Sequence, residues 1–227
     1  MKAVIDTGTM ITLSGTCLMN VFRGFVKANN IELLVSSTVA EESVWRPITN
    51  KRFALNAARI KYAMTEKTVQ VIPSNQEISN MEQKILNIAN NCFLVQGSPM
   101  KIIQAGEAEA LALAKIFGAK ALFIDERTTR SLIENPLRLK QALERRQDQE
   151  ITMNEANINT IKNMFPKLLM FRSVDIIATA YEQGLFNHEL AHGKLELEAA
   201  LYAAKFNGCA VSENEIMEYL NTYGQKN

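Results

Sequence analysis

The chain predicts an α/β protein of three layers, a central parallel sheet flanked by helices, and three observations carry that expectation. Short and largely apolar runs at Ala3–Ile5, Ile31–Val35 and Ala121–Ile124 stop at an acid or a hydroxyl cluster. Each is followed within a few residues by a stretch of helical character. Runs of this kind suit strands buried on both faces, and strands alternating with helices over short connections build a parallel sheet.

Taken in order, Ala3–Ile5 is a strand ended by Asp6, and a helical pattern runs from about Thr9 to Lys27. Ile31–Val35 is the second strand; Ser36-Ser37-Thr38 opens a helix that stops before Pro47, with Thr38 as its N-cap. Residues 50–65 repeat apolar side chains at Phe53, Ala57, Ile60 and Met64, and 68–72 form a β-branched strand stopped by Pro73. Helices follow at 75–91 and 106–117, then the strand at 121–124 ending in Asp125. From Pro136 to Glu150 the chain is highly charged and leads into a helix at 154–164, which reads as a helical insertion. A last strand at 168–171, a helix at 173–183 closed by Gly184, a helix at 189–206 stopped by Gly208, and a Ser212–Glu215 capping box for a final helix form a helical C-terminal extension.

Composition narrows the classes. With 227 residues and 47% hydrophobic residues, the chain can build a sizeable core, which excludes disordered and collagen-like classes. Cys17, Cys92 and Cys209 are odd in number and widely spaced, as expected of free thiols in a reducing compartment. Asp6 interrupts any signal peptide, and Lys115 and Lys120 interrupt the longest apolar stretch, so the expectation is a soluble cytoplasmic protein with no membrane partner. A net charge of +1 offers no global attraction for a polyanion, so any nucleic-acid chemistry must be local.

Acids stand where such chemistry belongs, because ligands of an open parallel sheet sit beyond the carboxyl ends of its strands. Asp6 and Asp125 end strands; Glu41, Glu42, Glu107 and Glu109 fall near helix starts. With Thr38 as N-cap, Glu41 completes a capping box and leaves Glu42 free. Glu107 and Glu109 differ by about 200° around a helix, so only one faces a common site, and Glu107 lies nearer the helix mouth.

The ordered segments VIDTGTMITL, VAEE, GEAEALALA and LFIDERTTR resemble the PIN domain, the metal-dependent ribonuclease fold of toxin–antitoxin toxins and many archaeal proteins. The resemblance covers residues 1 to about 133. It implies a PIN-like nuclease core at 1–135, the insertion at 136–166, and a segment at 167–227 completing or extending the same domain. It carries the family's four acids onto Asp6, Glu42, Glu107 and Asp125 as catalytic and metal-binding residues, with RNA as substrate and a small antitoxin or a second copy as partner. The third acid is Glu where many members have Asp, and the insertion lengthens the usual domain. Four converging carboxylates repel, and a divalent ion relieves this; oxygen ligands without His or Cys suit Mg²⁺ or Mn²⁺. Water held at the ion would then hydrolyse the phosphodiester.

Thr7 and Thr9 are candidate hydrogen-bond donors to a carboxylate or phosphate. Arg127 and Arg130, three apart on one helix, are candidate phosphate contacts on nearly the same face. The interleaved charges from Arg138 to Arg146 read as a solvated helix face. His188-Glu189-Leu190-Ala191-His192 matches the HExxH zinc motif, so a zinc-dependent hydrolase is the main rival; the chain has no third His to complete it. A PIN-like protein that binds RNA without cutting is the other. Asp6-Thr7-Gly8 also resembles the aspartic-protease triplet, but a single copy in a helix-rich chain does not supply the paired aspartates that chemistry needs.

Overall fold

The computed structural model describes residues 1–224, without the side chain of His188. Its strands are β1 (Lys2–Ile5), β2 (Glu32–Ser36), β3 (Gln70–Ile72), β4 (Phe93–Val95), β5 (Ser98–Pro99), β6 (Ala121–Phe123), β7 (Ile151–Met153) and β8 (Leu169–Phe171). Five of them form a parallel sheet in the order β3-β2-β1-β6-β8. Its helices run from α1 (Thr7–Gly15), α2 (Met19–Ala28), α3 (Ser37–Ala40), α4 (Ala54–Thr65), α5 (Gln76–Ala89) and α6 (Ala105–Ile116) through α7 (Arg127–Glu134), α8 (Pro136–Gln147), α9 (Glu155–Met164), α10 (Ser173–Glu182), α11 (Lys194–Phe206) and α12 (Glu213–Tyr223).

The period of two along each strand divides the core into two halves. Ala3, Ile5, Leu33, Val35, Ala121 and Phe123 point into one half, shared with α1, α2, α4, α10, α11 and α12. Val4, Leu34, Leu122 and Ile124 point into the other, against α5 to α9. Apolar residues on both faces require helices on both faces, which gives the α/β layering around a buried parallel sheet. Phe123 anchors the first half, with Phe25 and Phe171 at centroid distances of 6.3 and 6.0 Å.

Several expected elements differ. The helix expected over 9–27 is two helices, because Thr16–Leu18 break it and Cys17 sits at φ 62, in the left-handed region. Ser36, not Thr38, caps α3: its hydroxyl accepts from the Val39 N–H at 3.1 Å. Glu41 therefore falls outside a capping box and pairs with Arg46 at 3.5 Å, and the chain widens into a π-helical turn over Glu41–Trp45. The helix expected from residue 50 begins at Ala54, after a 3-10 turn at Pro47–Thr49. The helix expected from residue 106 begins at Ala105.

The largest difference is a second, antiparallel sheet, β5-β4-β7. β7 lies between α8 and α9, so the segment 136–166 is helix–strand–helix rather than all helix, and it pairs with β4 through Leu94↔Thr152. The helix expected over 189–206 starts only at Lys194. The Ser212–Glu215 capping box of α12 and the left-handed Gly184 after α10 are as expected. Among the described residues no helix is long and apolar enough to cross a membrane, and all three cysteines are free.

Candidate acid site at the carboxyl edge of the sheet

Because the five strands are parallel, their carboxyl ends share one edge. The ladder extends one residue past β1 and β6: the Asp6 N–H donates to the Phe123 carbonyl at 3.0 Å, and the Ile124 N–H to the Phe171 carbonyl at 2.8 Å. This fixes the backbones of Asp6 and Asp125 side by side at the centre of the sheet. Asp6 also caps α1, its Oδ2 accepting from the Gly8 N–H at 3.0 Å. A Cβ on Gly8 would approach that oxygen to 3.2 Å, so glycine leaves the carboxylate room to be reached.

Asp125 is almost wholly buried and accepts two hydrogen bonds from one residue. The Ser173 N–H and hydroxyl, at the start of α10, reach its two oxygens at 2.7 and 2.8 Å. Glu42 comes from the π-helical turn after β2, is exposed, and accepts from the Thr7 hydroxyl at 3.2 Å. Glu107 lies on the first turn of α6, where its Oε2 accepts from the Gln104 N–H at 2.6 Å.

The four acids of the resemblance therefore converge from β1, β6, the turn after β2 and the mouth of α6. Burial pushes the Asp6 carboxyl above its ordinary value; the Gly8 and Thr7 backbone donors oppose this, and the charges of Asp125 and Glu42 reinforce it. Burial pushes Glu107 up to about 7 against the Gln104 donor, with Glu126 and Asp6 adding repulsion and Lys101 relieving part of it. Burial is the larger cause of both shifts, and the neighbouring carboxylates add to it in the same direction.

As the side chains stand, no three His, Cys, Asp or Glu groups among the described residues are set to hold an ion together. Each carboxylate is turned toward a local donor instead: Gly8, Thr7, Gln104 or Ser173. The donor set is nonetheless all carboxylate oxygen, at a point where positive charge is wanted. Carboxylate oxygens are the donors a hard divalent cation takes.

Glu109 and Glu107 diverge. Glu109 is buried away from the others, accepting from the Ser36 hydroxyl at 2.7 Å and the Thr38 hydroxyl at 3.2 Å, where it ties α6 to the end of β2. Thr7 sits at the site, but Thr9 is wholly buried with its hydroxyl unpartnered, so it reaches neither solvent nor a phosphate. Arg127 and Arg130 part company as well. Arg127 is exposed, whereas Arg130 is nearly buried, pairs with Glu134 at 3.7 Å and lies near Arg172.

Two residues absent from the sequence reading belong here. Ser173 orients Asp125; its only signal was a hydroxyl residue opening the helix after the last strand. Glu126 adds to the charge on Glu107 while capping α7 through the Thr129 N–H at 2.6 Å, and its signal was adjacency to Asp125.

The HExxH match does not lie on an α-helix. Leu185–His188 is a short 3-10 helix, Glu189 leaves helical geometry at φ −144, and the chain stays irregular to Gly193. Two histidines four apart share a helix face only on a continuous helix, so this backbone withholds the usual zincin arrangement. The Glu189 carboxylate accepts from the Asn20 amide at 2.7 Å and the His192 ring stacks on Tyr181 at 4.1 Å, while the side chain of His188 lies outside the described residues.

Comparison with models of known protein families, with curated protein sequences and with solved structures finds no match.

Proposed function

We propose that the chain is a PIN-like, metal-dependent endoribonuclease, with Mg²⁺ or Mn²⁺ as its cofactor and RNA as its substrate. The observation that carries the reading is the convergence of Asp6, Glu42, Glu107 and Asp125 at the carboxyl edge of adjacent parallel strands, with the carboxyls of Asp6 and Glu107 driven upward by burial and by their neighbours. Asp6, Glu107 and Asp125 would hold the ion, with Glu42 on the open side. The bound cation supplies Lewis acidity and neutralises charge on the phosphodiester as it is hydrolysed.

The chain's own groups do the rest. Ser173 holds both oxygens of Asp125 in one orientation. Thr7 steadies Glu42 at the solvent side, and the exposed Arg127, two residues beyond Asp125, is available to a phosphate. A role as the toxin of a toxin–antitoxin pair, with a small antitoxin or a second copy as partner, belongs to the same proposal and rests on the resemblance alone.

The test is cleavage of a mixed RNA pool by purified protein with Mn²⁺, beside Asp6→Asn and an EDTA control. Cleavage confined to wild type with metal is the expected result. Equal cleavage in EDTA, or full activity in Asp6→Asn, overturns it; binding of RNA without cleavage identifies the non-cutting alternative.

A further inference from the structure

The charged run from Arg138 to Arg146 is not a uniformly solvated face. On α8 the positions 138, 142, 145 and 146 recur at helical spacing and line one side, while Lys140 and Glu144, four apart, pair with each other at 3.4 Å on another. The helix thereby sorts its charges, neutralising one face and leaving the other basic.

That basic face packs across α7 to enclose an open cavity of about 560 Å³. Arg127 enters it from α7, and Arg138, Arg145 and Arg146 from α8; among the described residues its lining holds four arginines and no carboxylate. None of the four forms a salt bridge with a described residue. Arg145 spends one N–H on the Gln141 carbonyl of its own helix, at 3.1 Å, which leaves the rest of its guanidinium free.

A second cavity, of about 310 Å³, adjoins the first and shares Thr128, Leu143 and Arg146 with it. Glu107 and Glu126 line this second cavity. The shared residues, Arg146 among them, set the arginine-lined cleft beside Glu107 of the acid site. Guanidinium forks unpaired with carboxylate, open to water and spaced along a groove suit a chain of phosphates.

We infer that the α7–α8 cleft binds the sugar–phosphate backbone of single-stranded RNA and leads it to the acid site. The choice of RNA and the direction of the strand rest on the proposed nuclease reading; the binding of a phosphate backbone does not. Phosphate contacts of this kind hold and orient the strand without reading its sequence.

The experiment measures binding of a fluorescein-labelled single-stranded RNA to the full chain in EDTA, so that nothing is cut. One variant combines Arg138→Gln, Arg145→Gln and Arg146→Gln. A control removes the same charge outside the cleft with Lys84→Gln, Lys140→Gln and Lys162→Gln. The arginine variant is expected to bind at least ~10-fold more weakly at about 0.1 M salt and to lower the slope of log affinity against log salt by roughly 0.7 per lost phosphate contact. The lysine control is expected to stay close to wild type. Thermal unfolding of both variants at the wild-type temperature shows that neither result comes from misfolding.

Equal weakening by the two variants, no weakening by the arginine variant, no RNA binding by wild type, tighter binding of DNA of the same sequence, or tighter binding of polyglutamate overturns the inference. Arginine-dependent binding by a protein that cuts nothing supports the cleft and defeats the nuclease reading. Metal-dependent cutting with binding undiminished in the arginine variant does the reverse.

Discussion

Two clusters of buried charge stand back to back at the carboxyl edge of the sheet, joined by the adjacent residues Arg172 and Ser173. On one side Ser173 reaches Asp125 and the acid site. On the other the Arg172 guanidinium lies among Asp175 at 3.4 Å, Glu215 at 2.8 Å and the Tyr219 hydroxyl at 3.1 Å, while Tyr219 donates to Asp175. Carboxylates occupy both places, yet Glu215 in one and Glu107 in the other are shifted in opposite directions. Burial opposes ionisation of Glu215, but the Ser212 N–H and hydroxyl and Arg172 together hold it at about 2. Burial and like charge raise Glu107 to about 7. Burial is common to both, so neutralisation decides the sign. The paired cluster fastens α12 and the end of β8 to each other; the unpaired one is left wanting a cation, which is the condition expected of a working site.

The contrast can be broken most severely at Arg172. Arg172→Met deprives Asp175 and Glu215 of the guanidinium bonded to them, leaving only the more distant Arg130, and the expected loss is about 3 kcal/mol in urea unfolding. A loss indistinguishable from that of an exposed arginine such as Arg138→Met would show that the cluster is not an integrated charge network. Adding a cation to the other cluster comes next. Mn²⁺ at about a hundredfold over its dissociation constant should stabilise wild type by roughly 2.7 kcal/mol, read as a rise in unfolding temperature. The rise should vanish in Asp6→Asn and in Asp125→Asn.

A smaller effect is expected at the hinge between the clusters. Ser173→Ala removes one of the two donors to Asp125 and should cost about 1 kcal/mol, with weaker stabilisation by Mn²⁺ than in wild type. The gentlest test is the pH dependence of stability in EDTA. The depressed Glu215 contributes stability that is complete above its unfolded value near 4.5 and is lost as pH falls toward about 2; Glu215→Gln should flatten that acid limb. The raised Glu107 acts with the opposite sign. The folded chain holds its proton more tightly than the unfolded one, so stability declines as pH rises from about 4.5 to about 7, and Glu107→Gln should make the decline shallower, leaving the part due to the other raised carboxyls such as Asp6.

The central sheet was legible because its signals are local. An apolar run ending in an acid marks both a strand and the edge where ligands sit, which is why Asp6 and Asp125 could be read together. The second sheet was hidden because β4 and β7 are three residues each, too short for a period of two to emerge, and β7 lies inside a stretch dominated by charge. The break at Cys17 was poorly signalled: Gly15 ends α1, but the left-handed position two residues on is a cysteine rather than a glycine. The Ser36 cap is hard to read because two hydroxyl residues follow it and Glu109, 73 residues away, accepts from both Ser36 and Thr38; only the Val39 N–H, donating to Ser36, marks which one caps.

The site divides in the same way. Four acids could be ordered along the chain, but not which donors hold them: Ser173 reaches Asp125 across 48 residues, whereas the Gln104 N–H reaches Glu107 locally, as the N-cap of α6. The separation of Arg127 from Arg130 depends in part on Arg172, which no spacing rule includes, although the Arg130–Glu134 pair, four apart on α7, was readable from the residue numbers. By contrast, the sorting of α8 into a neutral and a basic face was present in the residue numbers; what the sequence lacked was the opposing wall supplied by α7.

The position of β1 has a further consequence during synthesis. It is the first strand made and the central one in the sheet, yet one of its two neighbours, β6, begins about 120 residues later. At ~5–20 residues per second the ribosome takes roughly 6–24 s to deliver that neighbour. Until then β1 has only β2 beside it, and Asp6 lacks the Phe123 carbonyl that fixes its backbone. Asp125 waits longer still, for Ser173. The acidic pocket is thus assembled late from distant segments, so a nascent or prematurely terminated chain carries the carboxylates without the geometry that brings them together.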